Sequence, residues 1–277
     1  GTQNDSAAPV SVLLDASVTD VACGGNHTCA RTTSGAVFCW GYPSAALGTG
    51  FLEGNWTLHD PPGLGAGTMR SVAVPLAWAQ TGNHSCGITD AGGVKCWGRN
   101  WSGELGDGTT SFAQAPTNVV GLSSGVAQIG LGDSLSCARM NTGAVKCWGT
   151  NYYGQLGMGD GGPTYAASPV DVYGLDGGVS SIYVGPQRAC AITTGNGLSC
   201  WGGNWSGVLG SGDTTHHAYP ATVTGSFASL SLGASHTCGL TTANAAYCWG
   251  EGASGRLGND AGVDKWSPVL VMGLDGG

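Results

Sequence analysis

The chain has 277 residues, 52 of them glycine, and only 9% are charged; 9 Lys plus Arg against 17 Asp plus Glu leave a net charge of −8. That balance argues against a broad nucleic-acid surface, which needs clustered Lys and Arg, and against docking on anionic lipid. No apolar run approaches the ~18 residues of a membrane span, so neither nucleic acid nor membrane insertion is expected. Glycine far above its usual share of about 7%, with 41% hydrophobic residues and no collagen-like period, predicts many short strands joined by tight turns. The Gly1-Thr2-Gln3 start carries no signal peptide and reads as a mature or trimmed end.

In chain order, Pro9-Val-Ser-Val12-Leu-Leu14 comes first, and it resembles a strand that recurs later. One phrase then repeats five times: a cysteine, nine residues, and Cys-Trp-Gly. The copies are Cys29…Cys39-Trp40, Cys86…Cys96-Trp97, Cys137…Cys147-Trp148, Cys190…Cys200-Trp201 and Cys238…Cys248-Trp249, recurring every 48 to 57 residues. A period of that size signals a repeat architecture. In the second copy, Ala77–Gln80 leads into Cys86-Gly87-Ile88-Thr89, and after the turn cluster Asp90-Ala91-Gly92-Gly93 comes Val94-Lys95-Cys96-Trp97-Gly98. A hairpin that pairs Cys86 with Cys96 also pairs Ile88 with Val94, leaves Asp90-Ala91-Gly92 as the loop, and gives Gly93 the left-handed bulge position. The same registry works in the other copies. It predicts the disulfides 29–39, 86–96, 137–147, 190–200 and 238–248 at a separation a disulfide spans. Zinc sites prefer cysteines two to four residues apart converging in fours; each pair here is self-contained. Each staple closes a loop of about eleven residues, worth at most roughly 2.5–3 kcal/mol, and five of them imply an oxidising compartment. Cys23 is the odd cysteine. Counting back from each pair, its place is taken by Gln80, Leu131, Val184 and Leu232. It reads as a small buried hydrophobe or, alternatively, as half of an intermolecular disulfide.

Past each Trp-Gly run Arg99-Asn100-Trp101-Ser102-Gly103-Glu104-Leu105-Gly106, Thr150–Gly157, Gly203–Gly210 and the degenerate Glu251–Gly258. The Asn side chains suit turn bonding and the glycines permit positive φ. A polar loop follows, then strands opening with Pro116, Pro169, Pro220 and Pro268, an edge-compatible start. Four short antiparallel strands per repeat make a propeller blade.

These residues resemble the repeat of the regulator of chromosome condensation β-propellers, from about Val18 to Leu274. The cysteine-stapled wording is similar to secreted bacterial members. The resemblance implies a propeller, usually of seven blades, where five repeats are counted here. It does not select a function, because family members range from a nuclear guanine-nucleotide exchange factor to a secreted β-lactamase inhibitor. The first repeat carries an insertion, Thr49 to Arg70, and lacks the Asn-x-x-Gly turn. Pro9–Leu14 and Pro268–Leu274 make six copies of the fourth strand against five of the others. Either the circle is small with a spare strand, or the chain is open and a neighbour completes it.

Few groups suggest chemistry. His27, His84 and His236 share one position, with Leu135 and Arg188 in the other copies, and read as structural groups bonding local backbone. His216-His217 reads as a solvated loop, and Asp107, Asp160 and Asp213 as turn residues. No His-Glu-x-x-His and no phosphate loop with its Lys occur. Trp101, Tyr152 and Trp205 share the position after the turn Asn in successive repeats. They suit a recognition arc for protein or sugar, or else each packs on its own blade; Trp56 in the insertion is a fourth binding candidate. Sequons stand at Asn4, Asn26, Asn55, Asn83, Asn100 and Asn204.

The sequence thus predicts an all-β, β-propeller-type single domain over 1–277 of about five four-stranded blades, each with an intra-blade disulfide. Its repeats lie at about 15–70, 71–122, 123–175, 176–225 and 226–275, after a terminal strand at 1–14. The expected role is a non-enzymatic, secreted or cell-surface scaffold, without cofactor or metal, binding a protein or glycan through loops on one face. The alternative is a structural subunit of an extracellular filament or coat, associating head to tail by strand addition at the termini.

Overall fold

The computed structural model describes residues 6–12, 14, 16–41, 47, 61, 64, 68–75, 84–260 and 262–274. All its regular elements are strands, apart from short 3-10 turns such as Trp205–Gly207 and Ala253–Gly255. Blade 1 comprises β1 (Val18–Cys23), β2 (His27–Thr32) and β3 (Val37–Gly41). Blade 2 comprises β4 (Met69–Ala73), β5 (His84–Thr89), β6 (Val94–Gly98) and β7 (Ala113–Asn118); blade 3 comprises β8 (Val126–Leu131), β9 (Leu135–Met140), β10 (Val145–Thr150) and β11 (Tyr165–Asp171). Each is an antiparallel meander.

The next seven strands form one sheet: β12 (Val179–Gly185), β13 (Arg188–Thr193), β14 (Gly197–Gly202), β15 (His217–Leu232), β16 (His236–Thr241), β17 (Ala246–Gly250) and β18 (Lys265–Leu270). It is two blades fused through β15. The first part of β15 pairs with β14, and Phe227 to Leu232 pair with β16. The cause is a short connection. Seven residues separate Val119 from Val126 and Val172 from Val179, but only four separate the equivalent Val223 and Phe227, so the glycine turn that breaks the chain elsewhere is missing.

The hairpin registry is as expected. Cys29 faces Cys39, Cys86 faces Cys96, Cys137 faces Cys147, Cys190 faces Cys200 and Cys238 faces Cys248. Each pair is a disulfide, with Cα atoms 4.0 to 4.1 Å apart. One detail differs: the left-handed residue of the hairpin loop is Gly92 (φ 80°), not Gly93. Gly93 is required for another reason, since a Cβ there would lie 2.5 Å from the Ser123 carbonyl oxygen. The inner strand of blade 2 is also earlier than expected. Ala73 pairs with Cys86, so Val74, not Gln80, is the counterpart of Cys23, and Met69 and Arg70 belong to β4 and not to the insertion. Ala77–Gln80 lies outside the described residues.

Four apolar cores hold the molecule, each between successive blades. Leu47, Leu64, Met69 and Trp97 join blades 1 and 2; Ile88, Leu105, Ile129 and Trp148 join blades 2 and 3. Leu135, Leu156, Ile182 and Trp201 join blades 3 and 4, and Ile192, Leu209, Phe227 and Trp249 join blades 4 and 5. Five blades closed into a ring would have five such cores. Among the described residues no extensive strand packing joins blade 1 to blade 5, so the described strands form an open arc. Cys23 is free and exposed, which corrects the buried reading: among the described residues no blade covers that side of β1. Residues 9–12 belong to no strand and are exposed.

Candidate functional site

The turn asparagines build one end of the molecule. Asn100 is fully buried; its Oδ1 accepts the Leu105 amide at 2.9 Å, and its Nδ2 donates to the carbonyls of Thr109 and Ser111, both at 3.0 Å. Asn151 repeats this with Leu156 (3.0 Å) and Pro163 (2.8 Å), and Asn204 with Leu209 (2.9 Å) and Asp213 (3.1 Å). The carboxylates serve the same turns: Asp107 Oδ1 accepts the Thr109 amide at 2.9 Å, and Asp213 Oδ1 lies 3.0 Å from His217 Nε2. The Asp213 carboxyl is held below its ordinary range: its hydrogen bonds to His217 and Ser211 outweigh the desolvation that opposes them.

These turns present three aromatic residues. They leave the same end of blades 2, 3 and 4, because each follows the third strand. Trp101 is 64% exposed, Tyr152 71% and Trp205 46%. Their surroundings differ. Arg99 lies over the Trp101 ring at 3.9 Å, and Phe112 is 5.9 Å away; both rings border a depression of about 620 Å³ with Thr110, Ser111 and Gln114. Trp205 packs edge-on against Tyr153 (4.6 Å) and His216 (4.8 Å), joining blades 3 and 4, and borders a cavity of about 200 Å³ with Asp133 and Arg188. Phe112, Tyr153 and His216 were not expected in this group. Phe112 and His216 hold one repeat position just before the outer strand, the only sequence signal that could have found them. Trp56 lies outside the described residues.

Charge beneath this end is sparse and enclosed. Glu104 is fully buried, its Oε2 accepts the Ser102 amide at 2.6 Å, and burial raises its pKa above the ordinary range. Its counterpart Gln155 takes the Tyr153 amide at 2.7 Å, so both side chains clamp a turn. Asp133 is pushed up to about 6 by burial, with Arg99 opposing.

The histidine position ties blade to blade and does not bond local backbone as expected. His27 Nε2 lies 2.8 Å from Ser85 Oγ and His84 Nε2 3.0 Å from Ser136 Oγ, each in the next blade. Arg188, at the same position, donates to the carbonyls of Gly233 (2.7 Å) and His236 (3.0 Å) in blade 5. Burial drives the imidazoles down, to about 4 for His27 and about 3 for His84. Two sequence patterns occur by letter only. Gly121-Leu-Ser123-Ser-Gly125 spells a nucleophile elbow and Gly157-Met-Gly159-Asp-Gly161-Gly162 a dinucleotide fingerprint. Neither opens a helix: the first joins β7 to β8 and the second lies between β10 and β11, so the strand–turn–helix context both require is missing. Among the described residues no group of three His, Cys, Asp or Glu is placed to hold a metal ion, and no helix is long and apolar enough to cross a membrane.

Four-stranded blades, a disulfide in each central hairpin and blade-to-blade cores define a β-propeller-type repeat protein. Residues 18–45, 126–155 and 227–256 match the regulator of chromosome condensation (RCC1) repeat, and the chain belongs to the RCC1-repeat β-propeller family. It is 30% identical over 219 residues to the human E3 ubiquitin-protein ligase HERC2, covering 78% of this chain and 4% of the ligase; the chain therefore spans a small part of that relative. Among solved structures it is similar to human WBSCR16, with a TM-score of 0.82, 23% identity, and coverage of 95% of this chain and 70% of that one. Prp20p from Saccharomyces cerevisiae gives a TM-score of 0.76 at 19% identity, covering 92% of this chain and 63% of that one. Five disulfides point to an oxidising compartment.

Proposed function

We propose that this chain is a non-catalytic scaffold, secreted or held at a cell surface, that binds a protein or glycan through the aromatic end of blades 2 to 4. The observation that carries the reading is the exposure of Trp101, Tyr152 and Trp205 on equivalent turns, each pinned by its own asparagine. Large rings on a rigid frame contribute contact area at little entropic cost. Prp20p is described with binding to Gsp1p and histones, which supports protein recognition by this architecture. The test is a glycan array and a pull-down from native secretions, comparing the wild-type chain with Trp101→Ala/Tyr152→Ala/Trp205→Ala and with Tyr152→Ala alone. Tyr152 has no ring partner among the described residues, so its removal leaves the fold intact. Loss of the captured ligand in both variants is expected; an unchanged ligand set overturns the reading.

A second reading is structural: copies associate head to tail. It is supported by residues 9–12, which lie exposed outside any strand, with Val10 71% and Val12 46% exposed. Strand addition of this segment to a neighbour's last blade is the proposed route.

A further inference from the structure

Two departures from the repeat shape the ground beside Trp205. The residue before the turn position is Arg99, Thr150 or Glu251 in other repeats but Gly203 in blade 4. A Cβ on Gly203 would collide with the six-membered ring of Trp205, so only glycine lets this indole lie against the backbone. The second residue before the shared histidine position is Gly25, Gly82, Pro186 or Ala234 elsewhere but Asp133 in blade 3. Asp133, Pro186 and Ala234 sit on the loops joining the first and second strands of blades 3, 4 and 5. These loops share an end with the aromatic turns, because alternate connections of an antiparallel meander lie on one side. With Gln187, Arg188, Gly203 and the Trp205 ring they border the cavity of about 200 Å³.

The polar groups around this cavity carry both signs and both hydrogen-bonding roles. Asp133 Oδ1 is sealed from solvent and has no hydrogen-bond partner among the described residues, and the same holds for Arg188 Nε. The terminal nitrogens of Arg188 are given to the carbonyls of Gly233, Ala234 and His236. Gln187 adds a half-buried residue with a side-chain amide. A cation here would meet the Arg188 charge, and an anion would meet Asp133. A carboxylate clasp needs two guanidinium nitrogens where only Nε is free. A sugar matches the set, because each hydroxyl both donates and accepts and the ring can lie on an indole. The depression of blade 2 repeats this chemistry without charge: rings of Trp101 and Phe112, hydroxyls of Thr110 and Ser111, and the amide of Gln114. Neither site is bordered by Leu, Ile, Val or Met, the apolar walls that a protein anchor fills.

We propose that the aromatic end binds a neutral glycan, with one sugar ring seated in the cavity between Asp133 and Trp205 and another on the Trp101–Phe112 depression. Tyr152, on the intervening blade, is exposed between the two. Asp133 accepts from a sugar hydroxyl, Arg188 Nε and the Gln187 amide donate to others, and Trp205 supplies the apolar wall; a few placed polar groups beside aromatic rings are the usual make-up of a small-molecule site. Hydrogen bonds to a carboxylate are roughly twice as strong as neutral ones, so the Asp133 subsite dominates. The inference rests on the recognition reading above and fixes its ligand class as sugar and not protein.

The experiment titrates the full chain with neutral oligosaccharides, from single sugars to roughly six rings, built from glucose, mannose, galactose or N-acetylglucosamine. Tryptophan fluorescence and calorimetric heat report binding, and uronic-acid oligosaccharides and an oligolysine peptide serve as charged probes. At least one neutral series is expected to bind, its longer members about tenfold or more tighter than its single sugar, since they reach both subsites. Asp133→Asn, which keeps the side-chain shape, should weaken binding about tenfold. Gln114→Ala, at an exposed position, should weaken the longer members several-fold, and it carries the test if thermal unfolding shows that Asp133→Asn perturbs the fold. Preference for the uronic-acid or oligolysine probes overturns the inference, as does neutral-sugar binding that neither variant changes. If no oligosaccharide binds but Tyr152→Ala abolishes capture of a protein, the sugar inference fails and recognition by the aromatic end stands. If neither an oligosaccharide nor a captured protein depends on Tyr152, both fall.

Discussion

His84 Nε2 stands 3.0 Å from Ser136 Oγ in the next blade, and both residues are sealed from solvent. A neutral imidazole is therefore built into the joint between blades 2 and 3. On unfolding it regains its ordinary pKa near 6.5, whereas in the fold burial, then the charges of His27 and Arg99, hold it at about 3. A base whose folded pKa is lowered stabilises the fold fully above the unfolded value and loses that contribution as pH falls. The loss is about 1.4 kcal/mol per pH unit below 6.5. Asp133 works the other way, because its folded pKa is raised to about 6 and it takes a proton before the unfolded chain does. Comparing His84→Gln with wild type cancels that opposing term. Between pH 7.5 and 5.0 the stability difference, read from urea unfolding, should move by about 2 kcal/mol in favour of the variant. A difference that does not change with pH would mean that the imidazole is solvated in the fold.

Gly106 and Gly121 separate two costs of losing a glycine. Both have positive φ, 67° and 71°. A Cβ on Gly106 meets the Trp148 indole at 2.7 Å, whereas one on Gly121 meets nothing within 4 Å. Gly121→Ala should cost only the left-handed backbone penalty, about 1 kcal/mol. Gly106→Ala should cost about 1–3 kcal/mol more, the price of overpacking. Thermal unfolding of the pair checks this, and equal losses would remove the indole contact from the account.

Asn100 and Asn204 spell glycosylation sequons, yet both are fully buried and their amide nitrogens donate to turn carbonyls. A glycan on either nitrogen would break those bonds and need space that is filled. Expression in a glycosylating host should leave both unmodified in folded protein, by peptide mass spectrometry. Asn204→Ala should cost about 2–4 kcal/mol, because the Leu209 amide and the Asp213 carbonyl lose a buried partner. A glycan found on Asn100 or Asn204 of folded material would overturn the assignment of that side chain to the turn.

Local regularity made the blades legible in sequence, and long-range consequences were not. Nine-residue spacing and period-two alternation determine a hairpin, so every cysteine partner could be read directly. The histidine partners could not, because His84 bonds a residue 52 positions away whose proximity depends on blade packing. The fate of Cys23 failed for the same reason: its counterparts are covered by an adjacent blade, and no local signal says that blade 1 has an open side. Trp101, Tyr152 and Trp205 were legible as a repeated position. The packing of Trp205 on Tyr153 and His216 was not, since it joins two blades. The fusion through β15 was written in a three-residue shortening before Phe227, a signal only visible when the repeats are aligned on their valines.

The staples should differ in weight along the arc. By loop-closure entropy each cross-link of this size is worth at most roughly 2.5–3 kcal/mol, less where strands on both sides already hold the hairpin. The disulfide Cys137–Cys147 joins β9 and β10, which are flanked by β8 and β11, and blade 3 packs on a core at either side. Cys29–Cys39 joins β2 and β3 in blade 1, which among the described residues has a core on one side only. Opening of a terminal blade is a local event that need not involve the rest. Replacing Cys137 and Cys147 by Ala should therefore lower global stability by about 1–3 kcal/mol in urea. Replacing Cys29 and Cys39 should barely move the main transition, but should raise amide hydrogen exchange across residues 18–41 ahead of it. Non-reducing peptide mapping of the parent should recover the five hairpin pairs. Equal shifts of the main transition from both replacements would show that blade 1 unfolds with the whole, and would contradict an arc with one uncovered end there.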